Sequence, residues 1–197
     1  MISESYPWKK ELLKISKSLK KRFVQKRWTI KSSFLFEKEI FISFYIVRKL
    51  IEAEKISTIN KKIQIPCYMI PSVGKNVIRF NTSSCERLFD FEKTKKGNIK
   101  ISELCNQVIH SYIFDAVFDT EHQIAGFWVA SDWKRHTTLY SFLLEDLIKL
   151  FELIGNDYPN FMITTYNNEK RDYEINQSVV LESEQQKYYE AIQKINN

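Results

Sequence analysis

The stretch from His110 to His136 holds every histidine of the chain, together with Asp115, Asp119, Glu121, Asp132 and Arg135. Imidazoles and carboxylates are the groups that ligate metals and that move protons in general acid–base chemistry. Their spacing here is not that of a local metal motif: there is no HxH, no HExxH and no His/Cys pair at ligand separation. The segments 115–119 and 123–131 read as a hairpin around TEHQ. Folding it about residues 121–122 brings His110 opposite residue 133, within approach of Asp132, Lys134 or His136. His110, Asp132 and His136 are therefore the candidate catalytic set of a small metal- or His-dependent hydrolase. The same residues also read as a plain surface loop, with Asp132 opening a turn.

Asp119, followed twelve residues later by Asp132-Trp133-Lys134, resembles the acidic–x–Lys pattern of metal-dependent nucleases. The register speaks against a shared metal. Asp119 lies by the turn and Asp132 about eight residues along the arm, which at roughly 3.3 Å per residue exceeds 20 Å. Other chemical signatures are missing. PSVGKN (71–76) lacks phosphate-loop spacing, and there is no GxSxG. Cys67, Cys85 and Cys105 form no CxxC and no even framework, which suits a reducing compartment. No metal and no cofactor is expected.

Cations form the second chemical feature. Residues 1–31 carry ten Lys/Arg against two acids, a net charge of +8, while the other 166 residues sum to −2. Such asymmetry points to an anionic partner. Residues 5–28 read as one amphipathic helix. At 100° per residue, Trp8, Leu12, Ile15, Leu19 and Phe23 share an arc of about 80°. Lys9, Lys10, Lys14, Lys17, Lys20, Lys21 and Arg27 fall on the other face, where they can neutralise phosphates, meet an acidic protein surface or stand as a plain solvated face. Lysine on this face outnumbers arginine, so the charge acts as points rather than bidentate forks. Among the aromatic residues, Trp133 stands just outside a strand between Asp132 and Lys134. With Arg135 it is a candidate anchor for a partner or a nucleobase.

The elements that carry these residues follow from periodicity. Residues 34–55 read as a second helix, apolar nearly all round and hence buried. From residue 61 strand patterns dominate: 61–71 with Pro66 as an edge or bulge signal, a short strand at 77–80, and a turn at TKKGN. Ser102 is expected to cap a helix reaching about residue 112. IAGFWVA reads as a central strand. Ser141 is expected to cap a helix over 142–154, with Gly155 as its stop. A hairpin of 161–166 and 171–175 and a polar helix over 181–194 complete the chain. This is an α+β fold, mostly antiparallel hairpins packed on helices, with an N-terminal amphipathic helix pair. It is expected as one domain over 1–197, helical in 1–55 and sheet-containing in 61–197.

Composition excludes collagenous, low-complexity and largely disordered chains: 44% of residues are apolar and Gly and Pro number four each. The apolar run at 40–47 is far short of the roughly 20 residues a membrane span needs. The N-terminus lacks the apolar core of a signal peptide. A cytoplasmic protein without a membrane partner is expected. The chain reads first as a non-enzymatic binding or accessory subunit. It would present its basic helix to nucleic acid or to an acidic protein, and a protein partner or self-association is expected.

Overall fold

A computed structural model describes residues 2–181. The helix expected over 181–194 lies outside them apart from Leu181. Among the described residues six α-helices, α1 (Tyr6–Phe23), α2 (Ile30–Glu52), α3 (Thr58–Lys61), α4 (Cys85–Leu88), α5 (Ile101–Ile109) and α6 (Leu144–Gly155), accompany seven strands. The strands are β1 (Gln64–Pro71), β2 (Lys95–Lys100), β3 (Ser111–Phe118), β4 (Ile124–Ser131), β5 (Thr138–Leu143), β6 (Phe161–Asn167) and β7 (Asp172–Ser178). The first five form an antiparallel sheet in the order β2-β1-β5-β4-β3, and β6 and β7 form a separate hairpin. The fold is α+β.

α1 ends at Phe23, five residues before the expected boundary. Residues 24–29 turn the chain instead, and the Trp28 indole donates to the Gln25 carbonyl while its ring packs edge-on against Phe36 and Phe118. Thr29 then caps α2 by accepting from the Ser32 amide. α1 and α6 lie together on one side of the sheet, joined by α2 and α5. Their apolar faces meet Phe127, Val129, Tyr140 and Phe142 in the main core. The excursion 72–93 crosses the opposite side. Val77, Cys85, Leu88 and Phe89 cover Ile70, Ile113, Ala130 and Leu139 there, in a smaller second core.

Several expectations are corrected. TKKGN is not a turn: Lys95 to Asn98 lie inside β2, and Gly97 pairs with Cys67. A Cβ on Gly97 would sit 2.5 Å from the terminal methyl of the Met69 side chain, which would have to shift. Residues 77–80 form no strand; Val77 turns into the second core and a turn follows. Ser141 does not cap a helix. It lies within β5, between Tyr68 and Trp128, and α6 starts at Leu144. α5 starts at Ile101 with no side-chain cap. Gly155 is the last residue of α6, where a Cβ would meet Leu13 at 2.6 Å. Pro66 sits where β1 has only β2 as a neighbour, because pairing with β5 begins at Tyr68. β1 as a whole is internal.

Candidate functional site

Helical geometry sorts the cations of α1. Leu12, Ile15, Ser16 and Leu19 are buried against α2 and α6. Lys10, Lys14, Lys17 and Lys21 follow at i, i+4, i+7 and i+11, which places them in one row on the opposite, exposed face. The cations flanking the buried arc are neutralised from within. Lys20 pairs with Glu152 at 2.6 Å, and its hydrogen bond holds the Glu152 carboxyl below the usual range. Arg22 makes a two-pronged contact with Glu39, at 2.6 and 3.0 Å. Ser18 and Ser16 donate to the same two carboxylates. Within the outward row, Glu11 meets Lys14 at 3.4 Å, and among the described residues no acid pairs with Lys10, Lys17 or Lys21. Arg27 lies beyond the helix in the exposed 24–29 turn, beside exposed Lys26.

Lys9 departs from the expected basic face. It is 1% exposed, donates to the carbonyls of Lys55 and Asp157, and lies 4.3 Å from the Tyr158 ring centre. Desolvation pushes its pKa down. The Asp157 carboxylate accepts from the Ser57 amide, the Ser57 hydroxyl and Asn60. Lys9 and Asp157 thus tie α1 to the segments after α2 and α6. A cleft of about 570 Å³ lies beside Asp157, lined also by Ser57, Asn60 and Glu152. On its wall Ser57 and Asn60 are bonded to Asp157, and the Glu152 carboxylate is held by Ser16 and Lys20.

The histidines are kept apart in their bonding. Backbone register brings His110 opposite Asp132, whose amide donates to the His110 carbonyl at 3.1 Å. The side chains diverge. The His110 ring meets Arg48 at 3.4 Å, beside Asn106. Asp132 pairs with Arg135 at 3.0 Å, and Arg135 also reaches His136 Nε2 and lies 4.0 Å from the Tyr112 ring centre. His136 Nδ1 accepts from the Val77 amide. Asp132, Arg135 and His136 therefore form one connected group, to which His110 is joined only through backbone. His122 occupies the exposed turn with φ 60°, and Asp119 folds back onto the Glu121 and Gln123 amides. Among the described residues, no group of three His, Cys, Asp or Glu side chains is arranged to hold a metal ion. The three thiols are buried, and desolvation raises Cys85 to about 11 and Cys105 to about 12.

Trp133 stands at the same end of the sheet, 91% exposed. Its loop is tightly tied: the Lys134 and Arg135 amides donate to the Ser131 carbonyl, and the Thr137 and Thr138 amides to that of Lys134. Sequence reasoning missed the neighbouring loop. The Ser72 amide donates to the Thr137 carbonyl and the Val77 amide to His136, so the stretch 72–77 lies against residues 136–137 and leads into a turn at 79–80. There Phe80 is 95% exposed, preceded by exposed Ile78 and Arg79. The signal was present in the polar run NTSS behind Phe80, which marks a turn rather than a strand.

Three comparisons with known proteins give no match: no family model, no curated protein and no solved structure.

Proposed function

We propose that the protein acts by binding, as a non-enzymatic accessory subunit that holds a nucleic-acid backbone against the outward face of α1. The observation that carries this reading is the division of labour among the α1 cations. Glu39 and Glu152 neutralise those at the helix interfaces, whereas among the described residues Lys10, Lys17 and Lys21 face solvent without an acid. At 1.5 Å per residue, the row from Lys10 to Lys21 spans about 16 Å, long enough to meet several successive phosphates. Lysine point charges suit this role because backbone contact needs neutralisation and no base-specific geometry. Exposed Lys26, Arg27 and Lys31 extend the cationic surface past the end of the helix.

The test is fluorescence anisotropy with labelled oligonucleotides at about 50 mM salt, comparing wild type with Lys10→Glu/Lys14→Glu/Lys17→Glu/Lys21→Glu. All four positions are exposed, so circular dichroism is expected to stay unchanged. The reading expects binding by wild type and none by the variant. No binding by wild type, or binding retained by the variant, overturns it. A stoichiometric acidic protein that copurifies after nuclease treatment and is lost in the variant would put a protein in place of the nucleic acid.

A further inference from the structure

We infer that the two loops at the end of β1, β4 and β5 form a stacking surface for unpaired nucleobases, with Trp133 and Phe80 as its platforms. The inference rests on the nucleic-acid reading above and adds to it a preference for single strands. Trp8, Trp28 and Trp128 each pack on another aromatic ring, but among the described residues Trp133 and Phe80 enter no ring pair. They are also the most exposed of the large apolar side chains at this end of the sheet.

Neither exposed ring sits on a loose loop. The turn under Trp133 is closed by the Asp132–Arg135 ion pair and by Arg135 on Tyr112. The turn under Phe80 is closed by Asn81, which accepts from the Ile78 amide and donates to the Asn76 carbonyl. The turn under each ring is already tied, so stacking does not have to order the loop as well. The chemistry around them is cationic. Residues 72–84 include Lys75 and Arg79 and no acid; residues 132–137 include Lys134, Arg135 and one acid, Asp132, which Arg135 neutralises. A base lying on either ring would keep its phosphate near the adjacent Arg79 or Lys134. Stacking of this kind tolerates any base, because each base has a π-face.

An anionic membrane is the competing occupant, and the neighbours of the two rings disfavour it. Sinking Trp133 into hydrocarbon would drag Asp132 and Lys134 along, and sinking Phe80 would drag Arg79 and Asn81. Stacking uses the ring faces and leaves these groups in water.

The experiment measures anisotropy of a labelled 15-nucleotide single strand and of the matching duplex with wild type, Trp133→Ala and Phe80→Ala. Both positions are exposed, so the fold is not at risk. Single-strand binding is expected to weaken about tenfold or more in each variant, while duplex binding stays unchanged. Single-strand binding that is unchanged in both variants overturns the inference and leaves the nucleic-acid reading standing. Absence of binding to either probe by wild type removes both. Vesicles rich in phosphatidylserine form the control: quenching of wild-type tryptophan fluorescence that is lost in Trp133→Ala would assign the surface to a membrane and overturn the inference.

Discussion

Lys9 and Lys10 are consecutive lysines on one helix with opposite fates. Lys10 is exposed, whereas Lys9 is buried and donates to two backbone carbonyls. Its desolvation is offset by those bonds and by the Tyr158 ring. Lys9→Ala leaves the carbonyls without their donor and is expected to cost about 1–3 kcal/mol in urea denaturation, against less than about 0.5 for Lys10→Ala. Helical periodicity groups both lysines on the polar side; only the partners after α2 and α6 separate them, and those lie 46 and 148 residues away. The cysteines carry a second expectation at this scale. Burial raises the Cys105 thiol to about 12 from an ordinary value near 9. Between those values the folded protein holds a proton that the unfolded chain has released, so stability falls as pH rises from about 9 toward 12. Chemical denaturation across that range is expected to show a steeper loss for wild type than for Cys105→Ala. At pH 8, a disulfide reagent is expected to find no rapidly reacting thiol in the native protein and all three after denaturation.

At the scale of elements, strong patterns came through and unpunctuated ones did not. The β3–β4 hairpin, the β6–β7 hairpin and the buried α2 were legible because turn residues or continuous apolar arcs mark them. β5 was not. It contributes to both cores, with Tyr140 and Phe142 in the main core and Leu139 in the second, so its apolar residues do not alternate cleanly with polar ones. It also runs into α6 without a loop, since β5 ends at Leu143 and α6 starts at Leu144. Ser141 therefore resembled a cap. The β4–β5 seam provides the element-scale test. A Cβ at Gly126 would run into the Phe142 backbone, which cannot swing aside as a side chain would. Gly126→Ala is expected to destabilise by about 3 kcal/mol or more, read as a shift in the denaturation midpoint. Gly155→Ala meets the movable Leu13 side chain and gains helix propensity, so a loss smaller than that of Gly126→Ala is expected.

Across the whole molecule, charge and coverage are arranged unevenly. The helical layer closes one face of the sheet and turns the α1 lysine row outward; the other face is covered at one end by residues 72–93. The charge asymmetry, the basic row and exposed Trp133 were legible because they depend on composition and local period. The exposure of Phe80 was masked by the strand-like run before it, although the polar NTSS behind it marks a turn. The separation of His110 from His136 was likewise hidden, since register brings His110 opposite Asp132 while its ring meets Arg48 and the His136 ring meets Val77 and Arg135.

The central claim is that the α1 row neutralises phosphates, and the most direct measurement is the salt dependence of oligonucleotide affinity. Each neutralised phosphate adds about −0.9 to the slope of log K against log salt for a duplex. The slope for wild type is expected to be steeper by about 3 than that for Lys10→Gln/Lys14→Gln/Lys17→Gln/Lys21→Gln. A slope that is the same in both proteins, or no measurable binding at about 50 mM salt, would contradict the account.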